Sequence, residues 1–287
     1  MSEPIFHHYV PRFYLSRFID NGGFIWIYDK LKDNIFTSKP DNIAGVNKFY
    51  QLDELVDYEL DPLTLEHQFA DLEYQVSNIL NCWDNQFNKS DKLDIPDVNR
   101  ELISLYIVTQ LLRTIEAREQ LIQFTKATIK NYDADKDSNN LHANLLWKDD
   151  LVFSMAKRIQ ECIWIFGKNN TDTPFLTSDH PVLIKTLDNK QWVLGPRIFD
   201  FGMYVVFPIS TKLVLYCKDP EYWKKLKVFN NSISPVEFDK DMINHENSGQ
   251  IGMSYRFIFS PSKDFDFTKY FLSLYPDFKY PKRARYE

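Results

Sequence analysis

Residues 24–37, FIWIYDKLKDNIFT, decide the fold because they contain two short strand-forming runs on either side of a polar turn. Phe24 to Tyr28 is aromatic and β-branched, and Asn34 to Thr37 supplies the second run, so the pattern predicts a β-hairpin. A two-stranded hairpin is only marginally stable in water on its own. The hairpin therefore needs a partner sheet, and the rest of the sequence indicates where that sheet comes from.

The sequence changes to a helical pattern after Pro62. In residues 63–87 the apolar positions recur at the spacing of an amphipathic helix. The polar segment 133–140, DADKDSNN, has no large apolar side chain to anchor it and is predicted to be a loop. Three long helices are predicted, over 63–87, 98–131 and 141–166.

Strand-forming segments return in the last third of the chain. These extended segments are predicted at 175–177, 182–184, 191–194, 203–207, 213–217 and 256–259. A further one, at 48–51, is predicted before the helical region. A helix is predicted over 237–252, and the proline-rich tail 275–287 is predicted to be irregular.

This order predicts an α+β protein in which the N-terminal hairpin packs on a C-terminal, mainly antiparallel sheet, with an inserted layer of three long helices. Strands do not alternate with helices, which argues against a doubly wound parallel sheet. We expect one compact unit with four segments: 1–61, which completes the sheet, 62–167, which is helical, 168–274, which is β-rich, and the tail 275–287.

The composition narrows the class of protein. With 287 residues, the chain is long enough to bury a large core without a metal or disulfide. The net charge of −6 argues against a surface coated in positive charge for non-specific DNA binding, although a local basic patch remains compatible. Cys82, Cys162 and Cys217 form no CxxC pair. We expect a cytoplasmic protein with no secretion signal and no membrane segment.

The block HHYVP, residues 7–11, is the first candidate for chemistry. A histidine beside Tyr9 can act as a general acid or base, because its unperturbed pKa lies near neutrality. His7 and His8 are adjacent and point in different directions, so they are not expected to share one metal. The alternative is that the histidine only anchors the N-terminal segment by hydrogen bonds.

The block TSDHP, residues 177–181, is the second candidate. Pro181 prevents simple continuation of a strand, so Ser178 and Asp179 are expected at a strand end or bulge, where polar side chains often face a cleft. Asp179 could bind a metal, accept a proton or orient a histidine. The alternative is an Asx-turn in which Asp179 caps its own backbone.

A third polar group lies on the predicted helices. Glu66 and Glu73 are seven residues apart and share a helix face, and Gln110 lies three residues before Arg113. Arg113 is a natural clamp for a phosphate or carboxylate, because a guanidinium binds either group in bidentate fashion. The alternative is an interhelical salt-bridge network.

The chain resembles an uncharacterised bacterial family of unknown function that is marked by four motifs. These motifs are HHYVPxFYLxxF at residues 7–18, LExxFAxxE at 65–73, QxxR at 110–113 and FxTSDxPV at 175–182. His180 stands where the family pattern often has Asn, which favours Asp179 over His180 as the functional residue. The resemblance implies an effector from mobile-element or phage-defence genes, with nuclease as the commonest activity.

Three functions are compatible with these residues. The first is a nuclease or phosphodiesterase effector, an RNA-targeting toxin in phage defence. Its catalytic residues would be His8, Glu73 and Asp179, with Mg²⁺ or Mn²⁺ as the candidate cofactor. The second is a non-enzymatic sensor that binds a protein partner, and the third is a nucleotide-binding hydrolase or transferase. Substrate binding is assigned to Arg113, Gln110, Tyr9 and Ser178.

Overall fold

The computed structural model describes residues 6–50, 63–146, 149–185, 187, 192–193 and 197–285 of the chain. The helices are α1 (Arg12–Leu15), α2 (Thr64–Phe87), α3 (Asp97–Leu112), α4 (Ile115–Thr128), α5 (Ser138–Leu146), α6 (Asp149–Glu161), α7 (Lys240–Met253) and α8 (Asp266–Leu274). The first six strands are β1 (Phe6–His8), β2 (Ile25–Asp29), β3 (Asn34–Ser38), β4 (Gly45–Asn47), β5 (Ile163–Lys168) and β6 (Thr177–Ser178). The others are β7 (Leu183–Lys185), β8 (Trp192–Val193), β9 (Tyr204–Ser210), β10 (Leu213–Lys218), β11 (Ser232–Ile233) and β12 (Phe257–Ser260). This content confirms the α+β class.

The predicted hairpin is β2–β3, and it joins the C-terminal part of the chain through β12. Trp26 lies opposite Ser260 and Tyr28 opposite Ile258 in an antiparallel pairing. The short strand β6 pairs with the other edge of β12, which gives a four-stranded sheet in the order β3-β2-β12-β6. The prediction that the hairpin packs on C-terminal strands is therefore confirmed.

A second sheet of six strands has the order β11-β5-β10-β9-β7-β8. Its pairs are antiparallel except for β11 with β5, which is parallel. The central strands β5, β9 and β10 are almost continuously apolar and buried. That pattern fits a sheet that is covered on both faces rather than one that faces water.

The helical layer differs from the prediction at two places. The second predicted helix is interrupted at Arg113 and Thr114, where Thr114 caps α4 by accepting a hydrogen bond from the Ala117 amide at 3.2 Å. The third corresponds to α5 and α6, between which residues 147 and 148 lie outside the described part of the chain. It ends at Glu161, so the predicted helix end at 163–166 is wrong. The run Ile163-Trp164-Ile165-Phe166 is instead strand β5, because β-branched and aromatic residues favour a buried strand.

Smaller segments also differ from the prediction. Residues 48–50 form a turn that follows strand β4, and residue 51 lies outside the described part of the chain. Helix α8 falls in the segment that was predicted to be β-rich. The helix over 237–252 and the strand over 256–259 are confirmed within a few residues.

One large apolar cluster contains side chains from the N-terminal segment, the helices and the six-stranded sheet. Tyr14 connects two of the sequence motifs inside this cluster, since its hydroxyl donates to the Pro208 carbonyl at 2.7 Å and lies 2.8 Å from Thr177 Oγ1. Among the helices that the structure describes, none is both long and apolar enough to span a membrane.

Candidate functional site

The end of α3 places Arg113 inside the molecule, where its side chain is only 1% exposed. Its Nη1 donates to Glu73 Oε1 at 2.8 Å and its Nε to Gln110 Oε1 at 3.2 Å. The Phe69 ring lies against the guanidinium, with its centroid 5.0 Å from Cζ. We call the side chains of His8, Glu66, Glu73, Tyr106, Gln110 and Arg113 the Arg113 cluster.

Two polar atoms of the Arg113 cluster are buried without a hydrogen-bond partner among the described residues: Nη2 of Arg113 and the hydroxyl of Tyr106. Burial raises the pKa of Tyr106 well above its ordinary value, and the charge of Arg113 is the largest opposing influence. The two groups therefore lie within electrostatic reach of each other. Buried donors without partners are rare in native proteins, because each forfeits its hydration.

Glu66 lies one helical repeat before Glu73 on the same face of α2. Burial raises the pKa of Glu66 to about 7, with a smaller contribution from Glu73 and an opposing one from Arg113. Both carboxylates are half-buried, so they border the cluster on its solvent side. Glu66 is thus a carboxyl group that can hold or release a proton near neutral pH.

His8 ends strand β1 and is half-buried. Its Nε2 lies 3.2 Å from the Asp41 carbonyl, which can only accept, so Nε2 carries the hydrogen and Nδ1 remains as the proton acceptor. Burial lowers the pKa of His8, and the charges of Arg12 and Arg113 lower it further. The ring is therefore neutral near pH 7. His7 is fully buried and accepts from the Tyr50 amide, which makes it an anchor of the chain.

Gln110 and Tyr9 position Arg113. Gln110 donates from Nε2 to the Tyr9 carbonyl at 2.8 Å while its Oε1 receives Arg113 Nε. The phenol of Tyr9 is buried in the core. Both residues were predicted to bind substrate, and the structure shows contacts that align the guanidinium.

Asp179 is 1% exposed, and its carboxylate accepts three backbone amides. Oδ1 receives the Tyr255 amide at 2.7 Å, and Oδ2 receives the amides of Arg256 and Phe257 at 2.7 and 2.8 Å. Burial raises the pKa of Asp179, and these three hydrogen bonds oppose that rise. The carboxylate thus joins the TSDHP block to the start of β12.

Ser178 is equally enclosed. Its Oγ lies 2.8 Å from Gln250 Oε1 and accepts the His180 amide at 3.2 Å. Burial lowers the pKa of His180 to about 4, and its Nδ1 lies 2.7 Å from Thr114 Oγ1. Thr114 directly follows Arg113. The TSDHP block and the QxxR motif therefore meet at the junction of α3 and α4. No hydrogen bond or ion pair between described residues joins Asp179 to the Arg113 cluster.

A second buried group of charges surrounds Glu116 at the start of α4. The two carboxylate oxygens of Glu116 receive Nε and Nη2 of Arg285, both at 2.6 Å, and Nη2 of Arg283 lies 3.3 Å away. The side chains of Glu116 and Arg285 are both 0% exposed. We call Glu116, Arg283 and Arg285 the Glu116 cluster. The tail 275–287 is irregular as predicted in its described part beyond Lys279, yet it is docked deeply in the fold.

Sequence reasoning missed two parts of this region. Tyr106 fits a helical apolar stripe, so nothing in the sequence distinguishes its hydroxyl. The Glu116 cluster had a signal in the basic run Lys282-Arg283-Ala284-Arg285, whose charges need a partner if the tail is buried.

The last feature of the site is the arrangement of side chains that could bind a metal ion. Within the described part of the chain, no three His, Cys, Asp or Glu side chains come together in a group that could hold a metal ion. The candidate Mg²⁺ or Mn²⁺ cofactor stays a prediction.

The fold and the site define an α+β protein with a buried arginine that is held by a glutamate and a glutamine. The chain belongs to the family described as "Protein of unknown function (DUF4238)", whose model matches residues 7–264 and so includes every member of the Arg113 cluster. No curated protein and no solved structure gives a significant match.

Proposed function

We propose that the protein is a phosphodiesterase that cleaves RNA at the Arg113 cluster. The observation that carries this proposal is that two buried polar atoms have no partner among the described residues, Arg113 Nη2 and Tyr106 OH. The charge of Arg113 also acts on His8 and Glu66, whose pKa values burial shifts in opposite directions. A phosphate bound there would supply acceptor oxygens to these donors.

Arg113 is well suited to hold a phosphate. Glu73 and Gln110 bind Nη1 and Nε, which holds the guanidinium plane and leaves Nη2 for a ligand. Supporting contacts of this kind keep a binding group within the narrow range of positions that catalysis needs. Glu73 is therefore assigned a positioning role rather than proton transfer.

The shifted pKa values support an assignment of the acid and the base. His8 has a lowered pKa and is neutral near pH 7, so it is the base. Glu66 has a pKa of about 7 and retains a proton on a large fraction of molecules, so it is the acid. The opposite assignment would require a protonated His8, which is the minority form near pH 7.

RNA is favoured as the substrate because its own 2′-hydroxyl can serve as the nucleophile. His8 Nδ1 would accept the 2′-hydroxyl proton as that oxygen attacks phosphorus. Glu66 would donate its proton to the departing 5′-oxygen as the P–O5′ bond breaks. The products are a 2′,3′-cyclic phosphate and a 5′-hydroxyl, and Arg113 would stabilise the negative charge that develops on phosphorus-bound oxygens.

The test is cleavage of a short RNA by the purified protein, with and without Mg²⁺, Mn²⁺ or EDTA. We expect a 2′,3′-cyclic phosphate product and no cleavage when a 2′-deoxy nucleotide stands at the scissile position. Arg113→Lys should lower kcat/KM by roughly 100-fold, because an ammonium cannot contact Glu73, Gln110 and phosphate together.

Arg158→Lys is the matched control, since Arg158 pairs with Asp219 outside the cluster. This variant should keep the wild-type kcat/KM. Intact RNA under all conditions, or equal losses in the two variants, would overturn the proposal.

The cellular role that fits this activity is a cytoplasmic effector that arrests growth, as expected of an RNA-targeting toxin in phage defence. Induced expression in a bacterial host should halt growth and fragment cellular RNA. The His8→Gln variant should do neither at the same protein level. Growth arrest by both proteins would separate the toxicity from the proposed chemistry.

A further inference from the structure

A cavity of about 310 Å³ lies where the segment before β6, helix α7 and the start of helix α8 meet. Asn247 of α7 fixes one wall, because its Nδ2 donates to the Pro174 carbonyl at 3.0 Å and its Oδ1 accepts the Leu176 amide at 2.8 Å. A second wall is the first turn of α8, which runs from Asp266 to Thr268. The lining residues that the structure describes include no member of the Arg113 cluster.

The buried end of this cavity contains a hydroxyl group with unused hydrogen-bonding capacity. Thr268 lines the cavity and is 0% exposed, and its Oγ1 has no hydrogen-bond partner among the described residues. Such a group is rare in native proteins, because it gives up its hydration without a replacement. A ligand that enters the cavity can supply the partner that Thr268 lacks.

The mouth of the cavity carries an excess of negative charge. Asp172, Asp264 and Asp266 are exposed there, and Lys240 is the one cation among the lining residues that the structure describes. Three carboxylates and one ammonium leave two negative charges in excess. None of the three carboxylates forms an ion pair with another described residue. The field at the mouth therefore favours a cationic ligand.

The spacing of these carboxylates favours an organic cation over a metal ion. Across the described residues, no three acidic, histidine or cysteine side chains come close enough to hold one metal. A flexible organic cation can contact the carboxylates separately. The walls also contain the apolar side chains of Pro174, Leu176 and Phe267, which can pack against methylene groups.

We propose that this cavity binds a small aliphatic diamine of the 1,4-diaminobutane type, a function beyond RNA cleavage and independent of it. One ammonium donates to Thr268 Oγ1 at the buried end, and the carboxylates at the mouth hold the other. Two ammonium groups match the two excess negative charges. Each ammonium has three donors and no acceptor, so it suits a hydroxyl oxygen and carboxylates alike.

The test is isothermal titration calorimetry of the whole protein, without RNA, against 1,4-diaminobutane at low ionic strength. We expect saturable one-to-one binding that weakens as NaCl is added, because salt screens the exposed carboxylates. The monoamine 1-aminobutane should bind roughly tenfold more weakly, because it lacks one of the two charged contacts. Butane-1,4-diol, succinate and MgCl₂ should give no saturable binding.

The same titrations can overturn the proposal. It fails if the diamine shows no saturable binding, or if the diol or succinate binds as tightly as the diamine. Mg²⁺ that binds and competes with the diamine would make the cavity a metal site instead.

Thr268→Val tests the hydroxyl at the buried end. Valine keeps the shape of the side chain, so the ligand-free protein should melt at the wild-type temperature or higher, while affinity for the diamine falls about tenfold. Wild-type affinity in folded Thr268→Val protein would contradict the assigned contact.

Two exposed substitutions at the mouth should act in opposite directions. Asp172→Asn should weaken diamine binding, and Lys240→Met should strengthen it by removing the opposing cation. Asp94→Asn is the matched control, since Asp94 is an exposed aspartate outside the cavity and its loss changes the net charge equally. Equal effects of Asp172→Asn and Asp94→Asn, or weaker binding in Lys240→Met, would overturn the proposal. These titrations contain no RNA, so the proposal for the Arg113 cluster stands or fails separately.

Discussion

Burial acts in opposite directions on the two titratable side chains beside Arg113. It disfavours the charged form of each, so it lowers the pKa of His8 and raises that of Glu66. The neighbouring arginines add to the effect on His8, whereas Arg113 partly offsets the effect on Glu66. Under the proposed function, one environment supplies both the base and the acid.

The pH dependence of RNA cleavage should reflect these two groups. Because the base works when deprotonated, kcat/KM should rise with pH through a pKa below 6.5, the ordinary value for histidine. Because the acid works when protonated, kcat/KM should then fall through a pKa near 7.

The Glu66→Gln and His8→Gln variants assign the two limbs of that profile. Glu66→Gln should lower the rate and remove the alkaline limb, and His8→Gln should remove the acidic limb. Initial rates measured between pH 5 and 9 test both assignments. An alkaline limb that persists at the same pH in Glu66→Gln would show that another group is the acid.

The sequence allowed part of this site to be predicted. His8, Glu73, Gln110 and Arg113 stand out because polar residues recur within recognisable motifs. Tyr106 does not, because an aromatic residue at helical spacing looks the same whether its hydroxyl has a partner or not. The pKa of Glu66 depends on the surrounding burial, which only the tertiary structure determines.

At the scale of elements, Asp179 organises the start of β12. Its carboxylate replaces water for three consecutive backbone amides, at Tyr255, Arg256 and Phe257. Strand β12 in turn joins the N-terminal hairpin to β6. This architectural contact explains why an acidic residue stands in the TSDHP block, and our proposal places proton transfer at Glu66 instead.

Asp179→Asn should therefore destabilise the protein while the chemistry of the Arg113 cluster stays intact. The amide keeps one acceptor oxygen but loses the charge, and its NH₂ group faces amide donors. We expect a loss of about 2–4 kcal/mol in the free energy of unfolding, measured by urea denaturation. Asp264→Asn is the control, since the Asp264 carboxylate accepts the single exposed Asp266 amide. Unchanged stability with lost cleavage would instead assign Asp179 to catalysis.

Two strand-forming regions show where a local sequence pattern is enough to predict secondary structure. The hairpin β2–β3 was predictable because each of its runs is strongly strand-forming and separated by a polar turn. The segment 163–166 was not, because its apolar residues also continue the helical spacing from Ile159. Only the pairing of β5 in the folded sheet decides whether this segment forms a helix or a strand.

At the scale of the whole molecule, the C-terminal tail is joined to the middle of the chain. Arg285 and Arg283 reach Glu116 at the start of α4, immediately after the junction that carries Arg113 and Thr114. Sequence periodicity could not predict this contact, because an irregular segment has no repeating pattern and its partner lies more than half the chain away.

Glu116→Gln should leave two buried arginines without their counterion and lower the free energy of unfolding by about 3–5 kcal/mol. Glu101→Gln, an exposed change on α3, should have almost no effect. The pKa of Glu116 is lowered from 4.5 by Arg285 and Arg283 against the opposing effect of burial. The stability from this pair is therefore present above pH 4.5 and declines as the pH falls toward the lowered value.

The difference between wild type and Glu116→Gln should shrink over that acidic range, as followed by denaturation at several pH values. A difference that stayed constant with pH would show that the carboxylate charge is not the source of the stability.

The melting temperature of Tyr106→Phe, with and without a 2′-O-methyl RNA dinucleotide that cannot be cleaved, tests the central claim most directly. The hydroxyl of Tyr106 has no partner among the described residues, so its removal should leave the melting temperature of the ligand-free protein unchanged or raise it. The same change should remove most of the stabilisation that the dinucleotide gives to the wild type, because a phosphate contact is lost. A ligand-free protein that melts lower, together with full stabilisation by the dinucleotide, would contradict a phosphate site at Arg113 and Tyr106.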